Sequence, residues 1–343
     1  MCALSQPRNA LPATFRAAAR AQLPPDRLSR ATQRLMPMAN MNPGNPTPDA
    51  SAGAPRRVRL MGAPLDVVTE AYAVRAIVDA AAAGSGHWAI TANLDHLRRY
   101  QCEALAQSLL DEADLVVADG MPLIWASRLA GEPLPERVAG SSMVWSICEA
   151  ARANRLSIFM LGGDPGVAAR AADVFRSTFP GLEIGCTSRP LMGFDNDAQE
   201  LRRVESEAIA AAPEIVFVAL GFPKQDVLIR MLTKSLPKAS HLGVGISLSY
   251  VTGDLSRAPT WICRIGLEWA YRLAQQPTRR LARRYLVDGL PFSIRLMLAA
   301  IRGRAHTPPS PYYTDRDAAD RNGTRQRHTT APSPLDDREL TDK

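Results

Sequence analysis

The chain has 343 residues, of which 46% are hydrophobic, and a formal net charge of +7, enough apolar material for one large or two small cored domains. It contains no run of 18 apolar residues, so nothing in it reads as a membrane span. Its five cysteines, Cys2, Cys102, Cys148, Cys186 and Cys263, lie too far apart for a zinc site or a disulfide scaffold, and reduced thiols are the default.

Residues 1–57 hold eight Arg against two Asp, many Pro, Ala and Asn, and no sustained apolar period, the composition of a disordered extension. The stretch is Arg-rich and acid-poor like a transit peptide. Met36, Met38 and Met41, just ahead of the first strand, favour an overextended start instead. Elements then alternate. A strand is predicted at 58–61 and a helix at 67–83; a short apolar strand from His87 delivers Thr91 and Asn93 at its carboxyl end. A helix follows at 95–110, then a strand at 114–118 delivering Asp119. The next helix runs over 121–131, with Gly131 as its C-cap. A buried strand at 157–161 opens into Gly162-Gly163-Asp164-Pro165-Gly166, followed by a helix at 167–178, a strand at 183–186, a helix at 197–211 and a β-branched strand at 214–220. Gly221 to Asp226 form the loop after it, and a further helix starts near Gln225. Such alternation predicts an α/β fold: a mostly parallel, Rossmann-like sheet with helices on both faces and ligands at the strand carboxyl ends.

Asp119 stands at such an end, followed by Gly120 and Met121-Pro122. It is read either as a reacting carboxylate or as a cap of the next helix. Gly162 and Gly163 read as a phosphate-approaching loop or as a tight turn packing helix on strand. The strand after that loop carries no terminal acidic residue for a ribose, which counts against a nicotinamide oxidoreductase. Charge is unevenly placed. Residues 58–256 carry 17 basic and 23 acidic side chains, residues 257–304 ten basic and two acidic, and residues 305–343, a polar and disordered tail, six and seven. The basic segment implies a phosphate-bearing partner.

Ordered motifs accumulate along 58–285. They are Thr91-Ala92-Asn93, Ala118-Asp119-Gly120-Met121-Pro122, Glu136-Arg137-Val138-Ala139-Gly140, Leu161-Gly162-Gly163 and Phe179-Pro180-Gly181-Leu182. Leu220-Gly221-Phe222-Pro223-Lys224-Gln225-Asp226, Arg257-Ala258-Pro259 and Gly266-Leu267-Glu268-Trp269 follow. In this series the chain resembles the WecG/TagA/CpsF glycosyltransferases, glycosyltransferase family 26. The resemblance implies a fold of the GT-E type and an inverting, metal-independent transferase without cofactor. It would move a sugar from a UDP-sugar to a polyprenyl-diphosphate-linked saccharide at the cytoplasmic face of the membrane, with Asp119 as general base. Thr91 and Asn93 would bind sugar hydroxyls or orient Asp119. Gln225 would contact a sugar ring or be an exposed helix N-terminal residue. Arg137, Arg272, Arg279 and Arg283 would neutralise the diphosphate in place of a metal. The alternative for the C-terminal arginines is a solvated or lipid-facing basic surface. Asp195-Asn196-Asp197 reads as a helix-capping loop rather than a metal-binding Asp-x-Asp, since it follows no apolar strand.

The segment 257–304 interleaves Trp261, Ile265, Trp269, Leu290, Ile294, Leu296 and Leu298 with arginines. It is read as a basic helical appendage lying in an anionic membrane interface, with Leu296 on the lipid side and the 58–256 domain able to fold without it. Core packing is the rival for its first helix. One departure from the family pattern stands out: Ser249 occupies the position of an Asp after Gly243-Val244-Gly245. That leaves the donor open between N-acetylmannosamine or its uronic acid and a sugar without an N-acetyl group, such as glucose in exopolysaccharide assembly. The acceptor, the linkage and a homo-oligomeric state also stay open. A nucleic-acid-binding protein is the remaining alternative, opposed by aliphatic bulk where stacking and readout residues are needed.

Overall fold

The computed structural model describes residues 54–187 and 197–303. The N-terminal extension up to residue 53, Arg189, Asp195 and the tail from residue 304 lie outside the described residues. The described residues open with an antiparallel hairpin, β1 (Arg57–Leu60) and β2 (Ala63–Asp66), closed by Met61 and Gly62, both at positive φ, as two-residue hairpin turns require. Arg57 grips Asp66 with two bonds of 2.8 and 2.9 Å, and Asp66 also accepts the Val116 N–H at 2.7 Å, tying the hairpin to the sheet.

Six parallel strands form that sheet. They are β3 (His87–Ala92), β4 (Leu115–Ala118), β5 (Ile158–Gly162), β6 (Ile184–Thr187), β7 (Ile215–Ala219) and β8 (Ser240–Gly243), in the order β4-β3-β8-β7-β5-β6. Successive strand residues alternate between two cores. Ile90, Val116, Leu161 and Val218 face one, while Ala89, Val117, Met160 and Phe217 face the other. The first core is covered by α2 (Leu94–Tyr100), α3 (Ala104–Glu112), α4 (Met121–Leu129), α7 (Ala198–Ala211) and α8 (Lys224–Ser235). The second is covered by α1 (Glu70–Ala82), α5 (Gly140–Asn154), α6 (Val167–Thr178) and α9 (Ser247–Val251). Burial of a strand on both faces explains its near-continuous apolar sequence.

The structure differs from the sequence expectation at several elements, β2 and α9 among those not foreseen. The single helix at 95–110 is two, interrupted at residues 101–103. Helix α5 and strand β8 have no counterpart in that reading, although β8 lies at the centre of the sheet between β3 and β7. Its sequence, Ser-His-Leu-Gly, carries little strand signal; neighbours on both sides make it a strand.

Beyond residue 256 come α10 (Thr260–Arg264), α11 (Glu268–Gln275), α12 (Arg279–Ala282), a wider-wound π-helical stretch (Arg283–Gly289) and α13 (Leu290–Ile301). Helical dihedrals at Arg283, Gly289 and Leu290 make the last three one rod. Pro291 cannot donate a backbone bond and would crowd the preceding turn of a regular α-helix, which accounts for the wider winding there. Phe292, Leu296 and Ala300 are buried in the same core as α4. Leu296, expected to face lipid, is therefore a core residue. The apolar residues that do face outward from this helix are Leu290, Ile294, Leu298 and Ile301. The helix is apolar on two sides, and the sequence period alone does not say which one the body takes.

Candidate active site

At the carboxyl ends of β3, β4, β7 and β8, where successive strands depart to opposite sides of β3 and β8, lies a cavity of about 320 Å³ roofed by the C-terminal segment. Asp119 follows β4 directly, its N–H donating to the Ala92 carbonyl at 2.7 Å and so extending the strand pairing by one residue. Gly120, at φ +148°, turns the chain into α4, and no side chain caps that helix. Asp119 is thus not spent on capping. Its carboxylate, half-buried, opens on the cavity, with the N–H of Gly140, the first residue of α5, near enough to favour its charge. Burial pushes its pKa from 3.8 up to about 6. The nearby Arg137, Arg257 and the Gly140 N–H pull it down, and Glu268 pushes it further up.

The loop that carries Arg137 and Gly140 is fixed from behind. Glu136 accepts the Glu70 N–H at 2.8 Å, and the Glu70 carboxylate accepts the hydroxyls of Ser142 and Ser146 at 2.5 and 3.1 Å. A Cβ at 140 would sit in ordinary contact with the Thr91 and Ser247 hydroxyls, at 3.4 and 3.5 Å, so the start of α5 lies against the end of β3. Arg137 bonds Glu268 at 2.5 Å. One helical turn further along α11, Arg272 also lines the cavity, its Nε buried without a protein partner. Arg284 lines the opposite side, 3.4 Å from Asp95.

Thr91 and Asn93 both reach the cavity, as their spacing predicts. Thr91 donates to the Gly243 carbonyl at 3.3 Å. Asn93 caps α2, its side-chain oxygen accepting the Asp95 N–H at 3.0 Å, which leaves the amide N–H groups for a ligand. The capping box is closed by His96, whose Nδ1 accepts the Asn93 N–H at 3.2 Å while its ring packs on Phe222. Burial drives His96 down to about 3, so it lines the cavity as a neutral ring.

Gln225 lies on the cavity wall, but it is buried rather than exposed, and its carbonyl accepts the N–H groups of Gly221 and Gly245, each at 3.1 Å. It clasps together the loops that follow β7 and β8. A Cβ at Gly243 would fall 2.4 Å from the Gln225 amide nitrogen, so glycine at 243 makes room for that clasp.

Gly162 and Gly163 are not among the lining residues. Both are at positive φ, and a Cβ at Gly162 would lie 2.8 Å from the Ala219 carbonyl oxygen and one at Gly163 3.0 Å from Val167. Here they serve close packing of β5, β7 and α6. Arg279 and Arg283 are exposed and outside the lining, and Arg284 points in where Arg283 was expected. Asp197 caps α7 through the N–H groups of Gln199 and Glu200. Glu268, Arg284, His96, Ser247 and Tyr250 join the site without having been singled out as site residues. Glu268 had a signal, being one of two acids among ten arginines in 257–304.

Residues 58–306 match the sequence model of the glycosyl transferase WecG/TagA/CpsF family. Similar proteins include two described as N-acetylglucosaminyldiphosphoundecaprenol N-acetyl-beta-D-mannosaminyltransferase. One, from Bacillus spizizenii strain W23, is 32% identical over 208 residues, covering 61% of this chain and 76% of the relative. The other, from Bacillus subtilis strain 168, is 31% identical over 171 residues, covering 50% of this chain and 64% of the relative.

Proposed function

This chain belongs to the glycosyl transferase WecG/TagA/CpsF family, and from that premise we propose that it transfers a hexose or N-acetylhexosamine from a UDP-sugar to a polyprenyl-diphosphate-linked acceptor in bacterial surface polysaccharide assembly. The observation that carries this reading is the pairing of a desolvated carboxylate with arginines in one cavity. Asp119, with a pKa near 6, is ionised at neutral pH yet more basic than an ordinary aspartate. It takes the proton of the acceptor hydroxyl as that oxygen attacks the anomeric carbon. The bond to UDP breaks with its electron pair leaving on the diphosphate, and a single in-line displacement inverts the centre. Arg137 and Arg272 meet the charge that develops on the leaving group, and Arg272 brings a buried Nε–H with no protein acceptor. No metal is called on in this scheme.

The acceptor lipid calls for a membrane surface. Among the described residues no helix is long and apolar enough to cross one. Trp261, Ile294 and Ile301, all more than half exposed, share the segment with Arg264, Arg295 and Arg302, the composition that binds an anionic interface. The reading is therefore of an enzyme docked peripherally on the cytoplasmic leaflet. It is tested by incubating the purified protein with N-acetylglucosaminyl-diphosphoundecaprenol and a panel of UDP-sugars that includes UDP-N-acetylmannosamine and UDP-glucose, with mass spectrometry of the lipid product. One donor should extend the lipid, at a rate unchanged by EDTA. Failure of every donor sinks the transferase reading. A rate abolished by EDTA and restored by manganese sinks metal independence and returns Asp195 and Asp197 to consideration.

A further inference from the structure

Three arginines, Arg137, Arg272 and Arg284, and three carboxylates, Asp95, Asp119 and Glu268, line the cavity. Asp95 is engaged by Arg98 and Arg284, and Asp119 is the proposed base. Glu268 has no part in transfer, yet it takes the cation nearest that base. We propose that Glu268 is a stand-in anion: in the unliganded protein it occupies the place at Arg137 that the donor's diphosphate takes, and the two exchange on binding. The inference rests on the reading of the cavity as a nucleoside-diphosphate-sugar site.

Three observations support the exchange. The Arg137 side chain is only 15% exposed, and Glu268 shares with Asp119 the task of offsetting its buried charge before the donor arrives. A diphosphate entering beside a retained Glu268 would bring like charges together in one cavity, whereas exchange keeps Arg137 paired throughout. Glu268 is also mounted to move. It opens α11, which contains no buried side chain, and it follows Gly266 at φ +70°, a position that suits glycine. The far end of α11 is held by Gln275, which bonds the Ser256 N–H at 2.9 Å and its carbonyl at 2.8 Å. Losing the Arg137 bond therefore removes one tie on the first turn of α11, leaving Trp269 against Tyr285, without opening the core. That helix carries Arg272, so release of Glu268 and capture of the diphosphate by Arg272 belong to one motion.

The test is calorimetric titration of the full-length protein with inorganic pyrophosphate. Glu268→Gln should bind roughly three- to tenfold more tightly than the parent, the range for removing one partly exposed competing ion pair. The gain should vanish in an Arg137→Ala background. If Glu268→Gln does not fold, Glu268→Asp, which keeps the charge but shortens its reach, should show a smaller gain in the same direction. Equal or weaker pyrophosphate binding by the folded variant, with the parent binding normally, overturns the exchange alone. No binding by either protein overturns the nucleoside-diphosphate reading with it.

Discussion

In the α/β body the strand residues are almost all inaccessible, and Asp119, Thr91 and Asn93 sit on strand ends locked between two cores. In residues 257–303 the buried apolar side chains are Ala258, Cys263, Leu281, Phe292, Leu296 and Ala300, while Trp261, Val287, Ile294 and Ile301 are each more than half exposed. The proposed base is thus on the rigid part, and two of the three cavity arginines, Arg272 and Arg284, are on helices with less anchorage. The difference separates two tasks. Proton transfer needs a carboxylate held to a fraction of an ångström, whereas a diphosphate must enter and leave, so its cations gain from a mount that can give way.

The largest effect should come from the rigid side. Asp119→Asn keeps the shape and removes the base, and kcat/KM should fall by about 10²–10⁴ with the thermal unfolding curve little changed. The parent's kcat/KM should fall as pH drops through about 6, because protonation of Asp119 removes the base. Activity within a few-fold of the parent would mean that the body only scaffolds a site whose chemistry lies elsewhere.

A second pair of substitutions cuts the segment along its own two faces. Leu296→Ala empties a fully buried position and should cost about 2–5 kcal/mol in chemical denaturation. Ile294→Glu, two residues away and 56% exposed, should change stability by less than about 0.5 kcal/mol but weaken sedimentation with anionic vesicles. If both behave as surface changes, residues 290–301 are an appendage as the sequence suggested. If Leu296 behaves as stated, truncation at residue 257 also removes part of the body's core.

That contrast shows what a chain can reveal by itself. Period and strand-end chemistry were enough to place Asp119, Thr91 and Asn93 at the cavity, because a parallel strand exposes its next side chain where it ends. They were not enough for β8, whose four residues become a strand only between β3 and β7, nor for α5. In α5, Val144, Ile147, Cys148 and Ala151 keep the helical period, but the Gly-Ser-Ser start carries no helix signal. Helix phase was the other gap. Arg283 and Arg284 are adjacent and chemically identical, so nothing in the sequence says which of them turns inward; Arg284 lines the site and Arg283 is exposed. Motif resemblance marked Gln225, yet only the structure reveals that its carbonyl clasps two loops.

The mobility of the segment can be sharpened with arginines. Arg272→Ala should raise the donor KM about 10- to 100-fold, the loss of charged hydrogen bonds of ~1.5–3 kcal/mol. Arg279→Ala, exposed and outside the cavity, should cost less than about threefold if the segment keeps this arrangement when donor binds. Equal losses in steady-state kinetics would show that residues 279–301 swing inward in the complex, bringing Arg279 to the diphosphate.

The last substitution probes the body's own weak point and touches stability rather than turnover. Asp226 is fully buried on α8, and neither carboxylate oxygen has a partner in hydrogen-bond geometry. The Gln225 amide and the Trp88 indole lie near enough to favour its charge, but burial dominates and lifts its pKa from 3.8 to about 7. A carboxyl whose native pKa is raised favours folding below its unfolded pKa, near 4, and loses that contribution as pH climbs through about 7. Above that pH the body folds around a charge that it solvates poorly. Asp226→Asn removes the charge while leaving a buried amide as poorly paired as the acid was. The gain at pH 8 should therefore be on the order of 1–2 kcal/mol, well short of the ~4 kcal/mol that a shift from 3.8 to about 7 would give at ~1.36 kcal/mol per unit. At pH 4.5 the two proteins should unfold at nearly the same denaturant concentration. A gain of equal size at both pH values would point to repacking rather than charge, and a loss at pH 8 would mean that Asp226 is stabilised as the anion, with the Gln225 clasp above it depending on that charge.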